Sequence, residues 1–119
     1  MKYKEKILFK QLVIADSFLK KLIGLLRHRS LTEDMAIVLQ QCNSIHTIGM
    51  RFPIDVVFLD NDGVVLSITE NTRPFRFTSN RRAAHTLEMK AGVSKQKEIT
   101  VGNQLQWCKT GLYGVFSNV

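Results

Sequence analysis

The sequence contains few of the residues that mark a specialised class of protein. Its 119 residues include two cysteines, two prolines and one tryptophan. Two cysteines are too few for a disulfide framework, so we interpret Cys42 and Cys108 as free thiols in a reducing compartment. The low proline content and an apolar fraction of 45% exclude a disordered or low-complexity chain. We therefore expect residues 1–119 to form one domain of ordinary size.

Long hydrophobic runs are also missing. The longest uncharged stretch, residues 35–50, contains two glutamines, an asparagine and a histidine, so it is too polar to span a bilayer. The N-terminal residues, Met-Lys-Tyr-Lys-Glu-Lys, lack the apolar segment of a signal peptide. The sequence therefore predicts a cytoplasmic protein without a membrane span.

Short motifs with a known chemistry are absent as well. The sequence has no P-loop, no G-x-G-x-x-G, no G-x-S-x-G and no H-E-x-x-H. These absences argue against the common nucleotide-binding folds, the serine hydrolases and the zinc proteases. We accordingly predict no cofactor, and an enzyme is the less favoured interpretation.

What the chain does have is an uneven positive charge of +7. Residues 1–30 carry eight basic and two acidic side chains, a net of +6. Residues 31–70 carry one basic and six acidic side chains, a net of −5. Residues 71–119 return to eight basic and two acidic side chains, a net of +6. This segregation is consistent with a basic face and an acidic face after folding, and it slightly favours a polyanionic partner, although many proteins this basic bind no nucleic acid.

Strand-like segments dominate the chain, and a single long amphipathic helix is predicted over about residues 16–28. The pattern predicts an α+β domain with six to seven short strands in a curled, barrel-like mixed sheet, which the helix covers on one side. Residues 70–82 have no consistent period and are interpreted as a loop. The predicted strands are Lys6–Ile14, Met35–Leu39, Ile54–Leu59, Val64–Thr69, His85–Met89, Gln104–Lys109 and Leu112–Phe116, with one helical turn at Ser94–Glu98.

Two of these strands, 54–59 and 64–69, are expected to form a central hairpin. Asp62 and Gly63 would supply the positive φ angles of its tight turn. The polar segment 42–51 leads into this hairpin, so residues with reactive side chains lie at its entrance.

Cys42, His46 and Met50 are the candidates for metal binding or thiol chemistry in that segment. In an extended chain, Cys42 and His46 would lie roughly 13 Å apart, at about 3.3 Å per residue. They could then share neither a zinc ion nor a hydrogen bond. A helical turn would bring them together. Ser44, Thr47 and Gly49 disfavour such a turn, so the preferred interpretation is a buried cysteine and a hydrogen-bonded histidine.

Asp55 and the arginines form a second group of candidates. Asp55 interrupts an apolar run, so it either faces solvent or is buried against a base such as Arg51, Arg73 or Arg76.

The loop from Arg73 to Arg82 alternates four arginines with Phe75 and Phe77. Either the two phenylalanines are anchored in the core and the arginines are solvated, or the loop binds a phosphate, a carboxylate or single-stranded nucleic acid.

Taken together, these segments resemble the family known as domain of unknown function 192, or uncharacterised protein family 0127. The resemblance covers about residues 12–106 and implies a small β-rich α+β domain of bacteria and archaea without an established activity. Another branch of that family has an aromatic Phe-Trp-Met-type segment at the place of Ile45–Thr47, so a reaction that depends on His46 could not be common to both branches. The matching segments are Gly24–Leu25, Arg27–Leu31, Cys42–Met50, Phe52–Asp60 with Gly63, Arg73–Arg76, Ala84–Gly92 and Ile99–Leu105.

The leading hypothesis is a non-enzymatic binding or accessory domain. In it, the 42–51 segment lies beside the 73–82 loop, and Asp55 orders an arginine between them. The ligand would be a small anion or a protein partner. Alternatives are an enzyme that uses Cys42 and His46, and a domain that binds single-stranded nucleic acid through the basic loop. The residues assigned to the ligand site are Cys42, His46, Met50, Arg51, Asp55, Arg73 and Arg76.

Overall fold

The computed structural model describes residues 3–15, 31–47 and 52–117. The helix predicted over 16–28 lies outside these residues. No helix in the described part of the chain is long and apolar enough to cross a membrane. The described elements are β1 (Tyr3–Phe9), β2 (Gln11–Ala15), β3 (Met35–Gln40), β4 (Ser44–His46), β5 (Ile54–Leu59), β6 (Val65–Thr72), β7 (Phe77–Ser79), β8 (His85–Lys90), α1 (Val93–Gln96), β9 (Gln104–Cys108) and β10 (Gly111–Ser117).

These strands form three sheets. The largest is a five-stranded mixed sheet in the order β2-β3-β8-β5-β6, in which β2 and β3 are parallel and the other pairs are antiparallel. Strands β1, β10 and β9 form a three-stranded sheet, and β4 pairs with β7. The α+β class with a mixed sheet is confirmed. Within the described residues the strands form three sheets and none of them closes into a barrel, so the barrel-like form is not supported, and the strands number ten rather than six or seven.

The division into layers follows from strands that are buried on both faces. All six residues of β5 are buried, as are the first five of β8. A sheet with two apolar faces needs a covering layer on each side. A single closed sheet would bury only its inner face, so other elements must cover the second face. Val57, Leu59 and Leu87 pack against the three-stranded sheet at Phe9, Leu105 and Leu112. On the opposite face, Ile54, Val56 and Phe58 cluster with Ile37, Leu39 and Ile45.

The predicted first strand, 6–14, is in fact two strands that belong to different sheets. β1 pairs with β10, and β2 pairs with β3 after a bend at Lys10. Leu8 and Phe9 are both buried beside the bend. Lys10 and Gln11 interrupt the apolar run at the bend and it resumes at Leu12, but nothing in the sequence pattern shows that the two halves belong to different sheets.

The predicted hairpin is confirmed, but it lies at one edge of the five-stranded sheet, with β6 as the edge strand, and its turn differs from the prediction. Gly63 has the expected positive φ of 82°, whereas Asp62 does not have a positive φ. The Asp60 carboxylate instead accepts the backbone N–H groups of Asp62 and Val64, each at 2.9 Å. One left-handed residue therefore suffices, because the Asp60 side chain stabilises the rest of the turn.

Candidate functional site

The polar segment after Cys42 and the arginine-containing segment are paired neighbours. β4 and β7 are antiparallel, with Ser44 opposite Ser79, Ile45 opposite Thr78 and His46 opposite Phe77. Residues 70–82 are thus not wholly a loop, because β6 extends to Thr72 and β7 follows. A three-residue strand is too short to show a period in the sequence. The pairing brings together the two segments on which the predicted joint site depends.

This β4–β7 ribbon is attached to the five-stranded sheet through its inner face. Ile45 is buried in the core, and the Thr78 hydroxyl lies 3.2 Å from that of Thr69 on β6. Opposite residues of an antiparallel pair lie on the same face, so His46 and Phe77 share the outer face. The ribbon therefore has an inner side that packs on the sheet and an outer side on which Phe77 is exposed and His46 is half-buried.

Thr47 fixes the turn that precedes β7. Its side chain is fully buried, and its hydroxyl donates to the Arg73 carbonyl at 2.6 Å and accepts the Arg76 N–H at 2.8 Å. The Thr47 backbone carbonyl accepts the Phe75 N–H at 3.2 Å. A residue with no obvious chemistry in the sequence thus determines the conformation of the 73–76 turn.

Phe75 and Phe77 are exposed, which corrects the interpretation that they are anchored in the core. Their side chains are 69% and 70% exposed. Phe75 also has a φ of 62°, in the left-handed region that bulky residues rarely adopt. The exposed arginines and phenylalanines of this region, which we name the arginine–phenylalanine surface, are Arg73, Phe75, Arg76, Phe77, Arg81 and Arg82.

The arginine–phenylalanine surface is strongly positive. Between residues 71 and 87 the chain has four arginines and no acidic residue. None of these four arginines forms a salt bridge with a carboxylate of the described residues. The salt bridge in the described part of the chain joins Lys97 and Asp34, at 3.8 Å, and neither residue belongs to this surface. The positive charge of this surface is therefore available to a partner.

The arrangement of Cys42 and His46 does not match a helical turn. Residues 44–46 are extended in β4, and the Cys42 thiol donates to the Ser44 carbonyl at 3.0 Å. In residues 3–15, 31–47 and 52–117, no group of three or more His, Cys, Asp and Glu side chains is placed to hold a metal ion. Met50 and Arg51 lie outside these ranges.

Asp55 is buried, and the partners found among the described residues are backbone and hydroxyl groups rather than Arg73 or Arg76; Arg51 lies outside the described residues. One carboxylate oxygen accepts the Asn71 N–H at 2.9 Å. The other accepts the Gly92 N–H at 3.0 Å, the Ser94 N–H at 3.1 Å and the Ser94 hydroxyl at 2.6 Å. Asp55 therefore joins β5 to the end of β6 and to α1. The predicted helical turn at 94–98 is this helix, which begins slightly earlier, at Val93. Neither Arg73 nor Arg76 is among the hydrogen-bond partners of Asp55, and solvent exposure of this side chain is excluded.

A second polar group, at β9, has no signature in the sequence. A cavity of about 320 Å³ is lined by Glu5, Trp107, Cys108 and Tyr113, among others. The Thr110 hydroxyl lies 3.0 Å from the Cys108 sulfur, and hydrogen bonding from Thr110 lowers the pKa of this exposed thiol. The spacing Cys-x-Thr-x-x-Tyr is too common for the sequence to indicate this group.

Comparison with other proteins identifies relatives along most of the chain. The profile of the family DUF192, described as uncharacterized ACR, matches residues 2–107. A UPF0127 protein of Pyrococcus furiosus is 30% identical over 97 residues, which are 78% of this chain and 83% of that protein. A UPF0127 protein of Pyrococcus abyssi is 32% identical over 98 residues, covering 79% of this chain and 83% of the relative.

Solved structures with the same fold are more distant in sequence. A protein of unknown function from Novosphingobium aromaticivorans has a TM-score of 0.73 at 17% identity, covering 81% of this chain and 74% of that one. A candidate transcription regulator of Sinorhizobium meliloti has a TM-score of 0.74 at 20% identity, covering 88% and 93%. These likenesses concern the fold, and the sequence matches establish the family. The chain belongs to the DUF192 (UPF0127) family, whose function is unknown.

Proposed function

We propose that this protein is a non-enzymatic binding domain that recognises an anionic partner through its arginine–phenylalanine surface. The observation that carries the proposal is the exposure of Phe75 and Phe77 among four arginines whose side chains are also exposed. A domain that needed only solubility would not present two phenylalanines, because exposed apolar surface of this kind favours association.

Positive charge decides the chemical class of the partner. Guanidinium groups bind carboxylates and phosphates with two parallel hydrogen bonds, and they do so best where no carboxylate of the protein competes. The chain from 71 to 87 has no acidic residue. Strand β4 of the ribbon also contains His46, and Cys42 lies just before this strand. Both residues belong to the ligand site predicted from the sequence.

An enzyme that uses Cys42 and His46 has less support. The strand conformation at 44–46 disfavours direct contact between the two side chains. The Cys42 thiol is half-buried and directed at the Ser44 carbonyl, which is an acceptor and cannot stabilise a thiolate.

The proposal predicts that arginine substitutions weaken polyanion binding more than equal losses of charge elsewhere. The triple variant Arg73→Gln, Arg76→Gln and Arg81→Gln is compared with Lys90→Gln, Lys95→Gln and Lys109→Gln; all six residues are exposed. Each triple lowers the net charge from +7 to +4. We expect the arginine variant to bind fluorescein-labelled heparin about tenfold or more weakly, since charge contacts dominate such binding, and the lysine variant about threefold at most.

Fluorescence anisotropy at 50 mM salt measures both dissociation constants. Equal weakening in the two variants would mean that net charge alone attracts the polyanion, and the proposed surface would then be rejected. Thermal unfolding of both variants provides the control for folding, and little change is expected because the substituted side chains are exposed.

A further inference from the structure

We infer that the anionic partner is single-stranded nucleic acid, whose bases stack on Phe75 and Phe77 while its phosphates bind the surrounding arginines. This inference rests on the proposed function, because it concerns the same arginine–phenylalanine surface. It adds the ring stacking that distinguishes nucleic acid from other polyanions.

The two phenyl rings are the first reason. Charge contacts alone would explain an arginine-rich surface, but they do not explain two aromatic side chains that are about 70% exposed within it. Every base has a π face, so stacking on a phenyl ring tolerates any sequence and is worth roughly 5- to 150-fold in affinity for each base. Two rings separated by one residue therefore offer a large contribution that a sulfated sugar or an inorganic anion cannot use.

The nature of the basic residues is the second reason. All four basic side chains between residues 71 and 87 are arginines, and none is a lysine. Arginine binds phosphate with a planar pair of donors and also stacks on bases, whereas lysine acts as a point charge. Alternation with phenylalanine thus provides phosphate and base contacts in adjacent positions.

The rigidity of the 73–76 turn is the third reason. The side-chain hydroxyl and the backbone carbonyl of Thr47, which is fully buried, bind the backbone of Arg73, Phe75 and Arg76. They hold Phe75 at a φ of 62°, an unfavourable conformation for a bulky residue that persists only where the surroundings impose it. Because the ring is positioned before binding, less conformational entropy is lost when a base stacks on it.

The same rings favour single strands over a duplex. Bases in a duplex are already stacked on each other, so their faces are not available to phenylalanine. The described elements at this surface are the short strands β4 and β7 with the turns beside them, and none is a helix that could enter a major groove.

The test compares four probes by fluorescence anisotropy at 50 mM salt. The probes are labelled dT12, labelled U12, a labelled 12-base-pair duplex and labelled heparin. The ring variant is Phe75→Leu with Phe77→Leu, which keeps apolar side chains and removes the π faces. The control variant is Ile7→Ala with Val101→Ala, because these side chains are 54% and 64% exposed and belong to β1 and to the turn before β9 rather than to the ribbon.

We expect the wild-type protein to bind at least one of the single strands tenfold or more tightly than the duplex, although the duplex carries more phosphates. The ring variant should lose tenfold or more in binding to that single strand and less than twofold in binding to heparin. The control variant should match the wild type with all four probes. This pattern would support base stacking directly.

Three other results would overturn the inference. In the first, heparin binding depends on the arginines, but single strands are not preferred and the ring variant has no effect. This result would support the proposed function and reject nucleic acid as the partner. Heparin binding that is insensitive to the arginine triple rejects both. In the third, the protein sediments with vesicles that contain 20% phosphatidylserine and binds dT12 and U12 more weakly than it binds those vesicles. This result would mean that the phenylalanine rings contact a membrane surface instead.

Discussion

Replacing Asp55 by alanine is expected to lower the free energy of unfolding by about 3–5 kcal/mol. The carboxylate is fully buried and accepts hydrogen bonds from the backbone N–H groups of Asn71, Gly92 and Ser94 and from the Ser94 hydroxyl. Alanine would leave these donors without their acceptor. The loss is a large fraction of the 5–15 kcal/mol by which domains of this size are usually stable.

Urea denaturation followed by circular dichroism measures this change. Asp55→Asn should be intermediate, because the amide keeps one acceptor oxygen in place of two. Asp62→Ala is the matched control: Asp62 is exposed, and the expected change is within about 0.5 kcal/mol. If Asp55→Ala were as stable as Asp62→Ala, the hydrogen bonds around Asp55 could not be the connection between β5, β6 and α1.

The second large effect is expected at Gly63. This residue has a φ of 82°, and a β-carbon added to it would lie 2.1 Å from the Leu105 carbonyl oxygen. The contact is with backbone, so relief requires the hairpin and β9 to move apart, which would break the Leu105 N–H to Gly63 carbonyl bond of 2.8 Å. We expect Gly63→Ala to lower the free energy of unfolding by more than about 3 kcal/mol.

Gly102 offers a control that separates this clash from the backbone conformation. It has a φ of 95°, and a β-carbon there would meet no atom within 4 Å. Gly102→Ala should therefore show only the cost of the left-handed conformation, about 1–2 kcal/mol. Equal effects of the two substitutions in urea denaturation would contradict the close approach of the turn to β9.

The elements predicted correctly are those with a local cause. The hairpin of β5 and β6 follows from an apolar run and a glycine that permits a positive φ, and strand β8 follows from its composition. The only local sign of the split between β1 and β2 is the interruption of the apolar run by Lys10 and Gln11, which does not indicate that the two halves join different sheets. Which strands belong to which sheet depends on pairing between residues far apart in the sequence, and the periodicity of the sequence carries no information about that pairing.

For the candidate site, the sequence supported the closeness of the two segments only as a hypothesis and gave no pairing between them. The described part of the polar segment lies beside residues 77–79 because β4 pairs with β7, which is distant in the sequence, and a strand of three residues leaves no pattern. Asp55 was ambiguous because its acceptor role depends on backbone amides as distant as Ser94. Exposure of Phe75 and Phe77 could not be inferred either, since an apolar side chain in a sequence is expected to be buried.

Chemical-shift mapping by NMR tests the location of the binding surface most directly. A ¹⁵N-labelled sample is titrated with heparin and with dT12, and the backbone amide shifts are followed. The largest changes should occur at Phe75, Arg76 and Phe77, with smaller ones at Ser44 and His46 on the paired strand β4. Changes centred on β9 and β10, with the 73–82 amides unmoved, would contradict the arginine–phenylalanine surface as the binding site.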